Sequence, residues 1–237
     1  LNSADLLTTI SSSMISKLKM KVENQNIKSK LLPNWVDSNF IKPAAYKTHK
    51  YLTSTKFKIL YSGNIGEKQD WEFFVKFVKE LEPIKDIEII VVGNGSKRIW
   101  LEEKLLDVNN IYFYSPVKYS ELSNLLCSAD LHILFQKNNV IDTVMPSKIL
   151  AMMSSRKPSL ITGSLKSEVY SIIKKSKSGE YFETKNIFEV VEFVKKMKTD
   201  KTLHTQYGVS AREFVSKNYS KTKILNQFID TFNNLVK

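Results

Sequence analysis

From Lys56 onward the chain alternates between two hydrophobic periods. Short apolar runs at Phe57–Tyr61, Ile87–Val92, Ile111–Tyr114, Leu131–Phe135 and Ser159–Ile161 are bounded by turn-forming residues, and Glu180-Tyr181-Phe182 is a weaker sixth. Between them the spacing becomes helical, as at Phe74, Phe77, Val78 and Leu81, and again at Leu122, Leu125 and Leu126. A strand that is apolar at every position is covered on both faces. Such strands alternating with amphipathic helices predict a parallel sheet between two helical layers. Right-handed crossovers narrow this to an α/β class, a doubly wound, Rossmann-like parallel sheet of about six strands.

The flanks differ from this centre. Residues 1–40 read as a strand over Ala4–Ile10, a helix to about Val22 after the capping serines Ser11–Ser13, an extended piece at Ser29–Pro33, and a turn at Asn34–Asp37. Residues 41–55 have no periodicity and read as a linker. After Asn186 the pattern is helical to the end: Ile187–Met197, Lys201–Ser216, and an amphipathic helix over Tyr219–Val236.

Composition adds a partner class. A formal net charge of +12 on 237 residues calls for an anion: nucleic acid, an acidic membrane surface or a phosphorylated ligand. The lysine runs at 17–21 and 195–198 sit on helices with apolar opposite faces, where solvated surface is the ordinary reading. No nucleic-acid-binding signature occurs. One cysteine, Cys127, in an apolar helical pattern reads as a buried, inert thiol and excludes a disulfide framework. His49, His132 and His204 are scattered without ligand spacing, and no Asp-x-Asp pair occurs, so no metal and no cofactor are expected. No apolar run reaches the roughly 18 residues of a membrane span. With no signal-like start, a cytoplasmic protein is expected. The first residue, leucine, reads as the start of a fragment of a longer chain.

Glycine placement is more specific. Four of the seven glycines follow the first two sheet strands directly: Gly63 and Gly66 in Ser-Gly-Asn-Ile-Gly-Glu-Lys, and Gly93 and Gly95 around Asn94. Glycines there admit positive φ and let a ligand approach the backbone, at the edge where doubly wound sheets bind ligands. The amides around Asn64 together with Lys68 can hold a phosphate. Tight turns without a ligand explain the same glycines equally well at Gly93 and Gly95. The stretch Asp142–Pro158 is the second landmark. Pro146 fits the first turn of a helix, and the free amides of Ser147 and Lys148 with the lysine ammonium would attract an anion. By itself this is equally an ordinary α/β helix that starts with proline.

Tyr61-Ser62-Gly63-Asn64-Ile65-Gly66-Glu67-Lys68-Gln69 and Val144-Met145-Pro146-Ser147-Lys148 resemble the nucleotide-sugar-binding half of glycosyltransferase family 4, retaining enzymes of the two-domain GT-B fold. Within it they look like a subgroup from bacterial O-antigen and exopolysaccharide clusters, similar to WcaI-type and WbuB-type (fucosamine) transferases. Pro33-Asn34-Trp35-Val36-Asp37 is similar to the family's interdomain crossover, and Ala211–Val215 with Tyr219-Ser220 to its terminal helices. The resemblance implies a remnant of an acceptor domain with the crossover at 1–40, a linker at 41–55, a nucleotide-sugar-binding domain at 56–218, and a terminal helix at 219–237 that packs toward the missing domain.

It also implies roles. Lys68 and Asp142 would be catalytic, Lys68 by stabilising the departing nucleoside diphosphate and Asp142 by contacting the donor sugar. Gly63, Asn64, Gly66, Gly93, Asn94, Gly95, Met145, Pro146, Ser147 and Lys148 would surround the diphosphate and nucleotide, with Val117 bordering the base. Ala151 stands where the family carries the Glu that holds the ribose, Arg156 where it carries a glycine, and the arginine often found near Asn64 is absent. The expected donor is a nucleoside-diphosphate sugar, UDP-linked, with an N-acetyl-deoxyamino sugar as a candidate. The expected acceptor is a lipid-linked saccharide, with peripheral contact to the anionic inner membrane. The fragment is expected to bind nucleotide without transferring sugar. The competing readings are a UDP-sugar 2-epimerase of the same fold and a non-catalytic basic module at a membrane surface.

Overall fold

The computed structural model describes residues 4–22, 27–140, 147–183 and 186–235. The chain opens with β1 (Leu6–Thr9), α1 (Ser12–Met20) and β2 (Lys28–Leu31), a small unit whose two strands pair in parallel. Then follow β3 (Phe57–Ser62), α2 (Trp71–Leu81), β4 (Ile87–Val92), α3 (Arg98–Lys104), β5 (Ile111–Tyr114), α4 (Tyr119–Ser128) and β6 (Leu131–Phe135). After these come α5 (Ser147–Ser154), β7 (Ser159–Thr162), α6 (Glu168–Ser176), β8 (Gly179–Phe182), α7 (Ile187–Thr199), α8 (Lys201–Asn218) and α9 (Lys221–Asn233). All six expected sheet strands are present, within a residue or two of the limits set by their apolar runs.

The main sheet is parallel throughout and ordered β5-β4-β3-β6-β7-β8. The chain winds outward from β3 to β5, crosses back, and winds outward again from β6. The order therefore reverses between β3 and β6. The segments that leave these two strands meet again further on, where Gln69 pairs with Gln136 and Lys137 N–H donates to the Lys68 carbonyl at 3.1 Å; in doubly wound sheets ligands bind at the carboxyl ends of the strands where the order reverses.

Strand periodicity divides the core. Ile59 and Tyr61 of β3 face the side covered by α2, with Phe74, Phe77 and Leu81 buried against them. Leu60, with Ile90 and Val92 of β4, faces Leu125 and Leu126 of α4. Residues 41–55 contain no helix or strand, yet they complete this second layer: Ile41 and Leu52 are buried there. Side chains of α4 accept their amides, Lys42 N–H to Ser123 at 3.0 Å, Lys47 N–H to Asn124 at 3.0 Å and His49 N–H to Ser128 at 2.9 Å. An irregular segment can lie against a core only when its amides are satisfied in this way. Cys127 is buried in the same layer, where burial pushes its thiol up to about 11 and leaves it inert.

Two features depart from the periodicity. α3 and α6 are not singled out by spacing; α3 has seven residues with Leu101 as its buried anchor, too short for a two-turn stripe. α9 starts at Lys221 rather than Tyr219 because the chain there pairs with the crossover. Val36 N–H donates to the Tyr219 carbonyl at 3.0 Å, and Lys221 N–H donates to the Val36 carbonyl at 3.0 Å. Arg212 of α8 secures the crossover further, donating to the carbonyls of Ser38 (2.6 Å), Ile41 (3.2 Å) and Ser154 (2.8 Å).

The end of α5 explains an unusual glycine. Arg156 terminates the helix in the left-handed region, at φ 60°. Gly208, in the middle of α8, packs on the same backbone, and a Cβ there would lie 2.4 Å from the Arg156 carbonyl oxygen. A helix-interior glycine costs roughly 1 kcal/mol, which this close approach offsets. Arg156→Gly is therefore expected to stabilise the fold by about 0.5–1 kcal/mol, the left-handed penalty less the entropy of glycine. Gly208→Ala should cost about 1–3 kcal/mol. Urea unfolding of the two variants checks both signs.

His132 is buried in β6, its Nε2 2.8 Å from the Ser155 hydroxyl. Burial lowers its pKa from 6.5 to about 3. Between these values the unfolded chain binds the proton and the folded one does not, so stability present above pH 6.5 is lost as pH falls. At pH 5 the expected loss from this residue is about 2 kcal/mol, and His132→Gln should remove that part of the pH dependence. Denaturation midpoints at pH 7 and pH 5 give the comparison.

Candidate functional site

β3 ends in Tyr61-Ser62 and turns at Gly63 with φ 139°. The Gly63 carbonyl points at Gly93, where a Cβ would lie 1.9 Å from it. Gly95 repeats the arrangement one step further, with a Cβ position 2.4 Å from the Ile65 carbonyl oxygen. Backbone hydrogen bonds join the two loops, Gly63 N–H to Val92 at 2.9 Å, Ile65 N–H to Asn94 at 2.8 Å and Lys97 N–H to Ile65 at 3.0 Å. Arg98 closes their outer side by donating to the carbonyls of Gly93 (2.6 Å) and Tyr114 (3.0 Å). The glycines thus let two loops lie in contact and leave the free face of Gly63 toward β6.

That face receives Lys148, the second residue of α5. A Cβ on Gly63 would lie 2.7 Å from the Lys148 Nζ and 3.0 Å from its Cε. The ammonium donates to the Tyr61 hydroxyl at 3.0 Å, and the hydroxyl donates onward to the Asn64 carbonyl at 2.6 Å. Among the described residues Lys148 has no carboxylate partner. Burial lowers its pKa from 10.5 to about 8 and raises that of Tyr61 above the ordinary phenol value. At neutral pH the result is a partly desolvated cation in the first turn of α5, with no carboxylate partner among the described residues. That combination favours an anion.

The anion site opens into a cleft of about 470 Å³, within the roughly 300–1,000 Å³ of ligand pockets. One wall is α5 (Ser147, Lys148, Ala151, Met152), another is α4 (Tyr119, Leu122, Leu126), and the crossover supplies Trp35, Asp37 and Phe40. Phe40 and Tyr119 stack at 4.2 Å between ring centroids, nearly parallel. Asp37 and Lys221 face each other at the rim at 3.7 Å. A charged end followed by apolar and aromatic walls matches a ligand with a phosphate at one end and a flat ring at the other.

Residues 46–214 match the model of the family described as glycosyl transferases group 1. The chain belongs to that family. It is 27% identical over 242 residues to WcaI of Escherichia coli (strain K12), whose name assigns it to colanic acid biosynthesis as a glycosyl transferase; the match takes in 97% of this chain and 57% of WcaI. Two solved structures superpose on 98% of this group 1 chain. Anabaena HepE in complex with UDP-glucose does so with a TM-score of 0.80 at 13% identity, over 65% of its own length. Staphylococcus aureus TarM, solved with UDP, fondaparinux and α-GlcNAc-glycerol, has a TM-score of 0.75 at 15% identity, over 44% of its length. The group 1 chain thus spans a little over half of WcaI and has the fold of GT-B glycosyltransferases.

Within this group 1 fold the residues singled out from sequence fall into three sets. Gly63 and Lys148 meet at the anion end, and Ser147 lines the cleft beside them. Gly93, Asn94, Gly95 and Gly66 build the loop platform: Asn94 accepts from Gly95 N–H at 2.8 Å, and the Gly66 carbonyl accepts from the Trp71 indole at 2.7 Å. Lys68 is exposed on the turn after Gly66, its carbonyl accepting from Lys137 N–H at 3.1 Å. Val117 is half-buried against the α4 layer. Asp142, Met145 and Pro146 lie outside the described residues. Ala151 faces the cleft. Tyr61, Asp37, Phe40 and Tyr119 were not visible as site residues in the sequence: Tyr61 is hidden inside an apolar strand run, and the other three meet only through the crossover. Among the described residues no group of three His, Cys, Asp or Glu side chains converges as a metal site.

Lys148 gives the site a pH signature. Its free-protein pKa of about 8 means that the ammonium is mostly present at pH 7 and mostly lost by pH 9. A bound diphosphate, itself fully ionised above about pH 7, stabilises the ammonium. Affinity for a diphosphate anion should therefore be flat near pH 7 and fall up to about tenfold per unit above pH 8. Lys148→Met should abolish this dependence and weaken binding at pH 7. Because the depressed pKa penalises the folded state below the unfolded value of 10.5, the same variant should melt higher than wild type without ligand at pH 7. Calorimetric titrations from pH 7 to 9 and thermal melts check each part.

Proposed function

We propose that this chain is the donor-binding part of a retaining glycosyltransferase that takes a sugar from a UDP-linked donor to a lipid-linked saccharide of a surface polysaccharide. The observation that carries the reading is the Lys148 ammonium seated on the Gly63 turn, where the strand order reverses. The TarM structure with UDP and the HepE structure with UDP-glucose support a uridine donor, and the colanic acid role in the name of WcaI supports a polysaccharide product.

In this reading the diphosphate lies between the glycine turn and the start of α5. Charge that develops on the leaving diphosphate meets the Lys148 ammonium and the first-turn amides of α5, in place before the reaction, where such groups lower a barrier most; the amides of Gly63, Ile65 and Gly66 are already donated within the loops. The acceptor hydroxyl attacks from the face the diphosphate leaves, with no protein nucleophile. Lys68 reaches in from its exposed turn when the donor is bound. The nucleoside extends along α5 toward Phe40 and Tyr119. Exposed lysines of α1 beside Met20 offer a contact for an anionic membrane surface. No described helix is long and apolar enough to cross a membrane.

Titration with UDP, GDP and ADP tests the reading, with UDP expected to bind tightest. A lysine–phosphate contact contributes about 1.5–3 kcal/mol, so Lys68→Ala should weaken UDP binding roughly ten- to a hundredfold. An unchanged affinity would remove Lys68 from the site, and failure of all three nucleotides to bind would remove the donor role.

A further inference from the structure

A second hollow, of about 350 Å³, lies at the same end of the sheet and shares no lining residue with the Lys148 cleft. Its walls come from the segments that follow β3, β4 and β6: Gln69 and Asp70 before α2, Glu72 within it, Lys97 and Trp100 at α3, and Lys137 past β6. Trp71, also in the lining, joins the two hollows. Its ring packs edge-on against Tyr61 at 5.0 Å between centroids, and the Tyr61 hydroxyl accepts from the Lys148 ammonium. We infer that this hollow seats a neutral sugar ring of the acceptor chain, laid against the Trp100 indole and hydrogen-bonded through Gln69, Asp70 and Glu72. The inference rests on the donor reading above and adds where the receiving saccharide docks.

Charge decides the ligand class. Lys97 and Lys137 reach the same carboxylate, Glu67, at 3.1 Å and 3.8 Å. Counting the lining residues and Glu67, three carboxylates stand against two ammoniums that are already paired. A phosphate or a second nucleotide would be repelled here, whereas at Lys148 it is attracted. Carboxylates instead suit hydroxyl groups, which donate to them. Asp70 is held in place by capping α2, its Oδ1 accepting the Phe73 N–H at 3.0 Å, and a carboxylate keeps further acceptor sites when one is used. The Gln69 Oε1 accepts the Gly66 N–H at 3.3 Å, which sets the amide, and its nitrogen brings two donors. Fixed acceptors and donors beside an indole match a pyranose, whose hydroxyls need both and whose C–H face is apolar. The frame is in place before any ligand arrives. Lys97 N–H donates to the Ile65 carbonyl at 3.0 Å, Lys137 N–H to that of Lys68 at 3.1 Å, and the Trp71 indole to that of Gly66 at 2.7 Å. Gly63 lines the Lys148 cleft and Gln69 the second hollow, six residues on and no more than about 20 Å of extended chain away. An acceptor chain anchored in the hollow is therefore held beside the Gly63 turn.

The test follows the tryptophan indole N–H signals by NMR while methyl glycosides of glucose, galactose, mannose and N-acetylglucosamine are added at millimolar concentration, with and without saturating UDP. At least one glycoside is expected to shift Trp100 and to leave Trp35, in the Lys148 cleft, unmoved. Glu72 is exposed, so Glu72→Ala tests the hollow without disturbing the core. It should weaken that glycoside about threefold to tenfold, and Trp100→Ala should weaken it at least about tenfold. UDP affinity should be unchanged in both variants, and the glycoside should still bind with UDP in place. Silence of Trp100 toward all four glycosides overturns the inference, as does a glycoside affinity in Glu72→Ala equal to that of wild type. Displacement of the glycoside by UDP, or a Trp100 shift with inorganic phosphate in its place, overturns it too. Glycosides failing while UDP binds overturn this inference alone. UDP failing while a glycoside shifts Trp100 overturns the donor reading and supports the saccharide site.

Discussion

The site depends on one close contact, the carbonyl of Gly63 against the α-carbon of Gly93. A side chain at position 93 would force the loops after β3 and β4 apart, and with them the turn that presents Gly63 to α5. The glycine at 63 serves the other side of the same contact, because its missing Cβ is the space the Lys148 side chain fills. Two absent side chains, thirty residues apart in sequence, thus set where a cation can sit. The sheet contributes by placing β3 next to β4 on one side and β6 on the other, so that both contacts converge on one strand end.

The cation is held at a cost. Lys148 is partly withdrawn from water and supported by a phenol hydroxyl, with no carboxylate partner among the described residues. A folded domain tolerates such an arrangement when the rest of its core is well buried, and here the five-residue run of β6 and the aromatic face of α2 are buried throughout. Local destabilisation at the ligand end against a well-packed scaffold is the usual division of labour at binding sites.

Fold and site were legible in the sequence to different degrees, for physical reasons. Strands buried on both faces, such as Ile87–Val92, are apolar at every position, so the sheet could be read directly. The glycine turns and the Ser147-Lys148 helix start were legible because glycine is scarce in this chain and local backbone geometry demands it. Tyr61 was not, since a tyrosine in an apolar run looks like core, and only the fold turns its hydroxyl to Lys148. The crossover was read as a turn and residues 41–55 as a linker because neither has a periodicity. Their order comes from Ser123, Asn124 and Ser128 of α4 and from Arg212, partners 77 to 174 residues distant, which no local pattern encodes.

Arg212 also determines how the cleft can deform. One guanidinium holds the carbonyls of Ser38 and Ile41 on the crossover and of Ser154 at the end of α5. Opposite sides of the cleft are therefore bolted to a single plate, and neither can swing away while the other stays. The bowl they form travels as one body. Any hinge that serves this fold must flex outside the bolt, on the far side of Trp35 and beyond Lys221, so that the cleft keeps its shape through the motion.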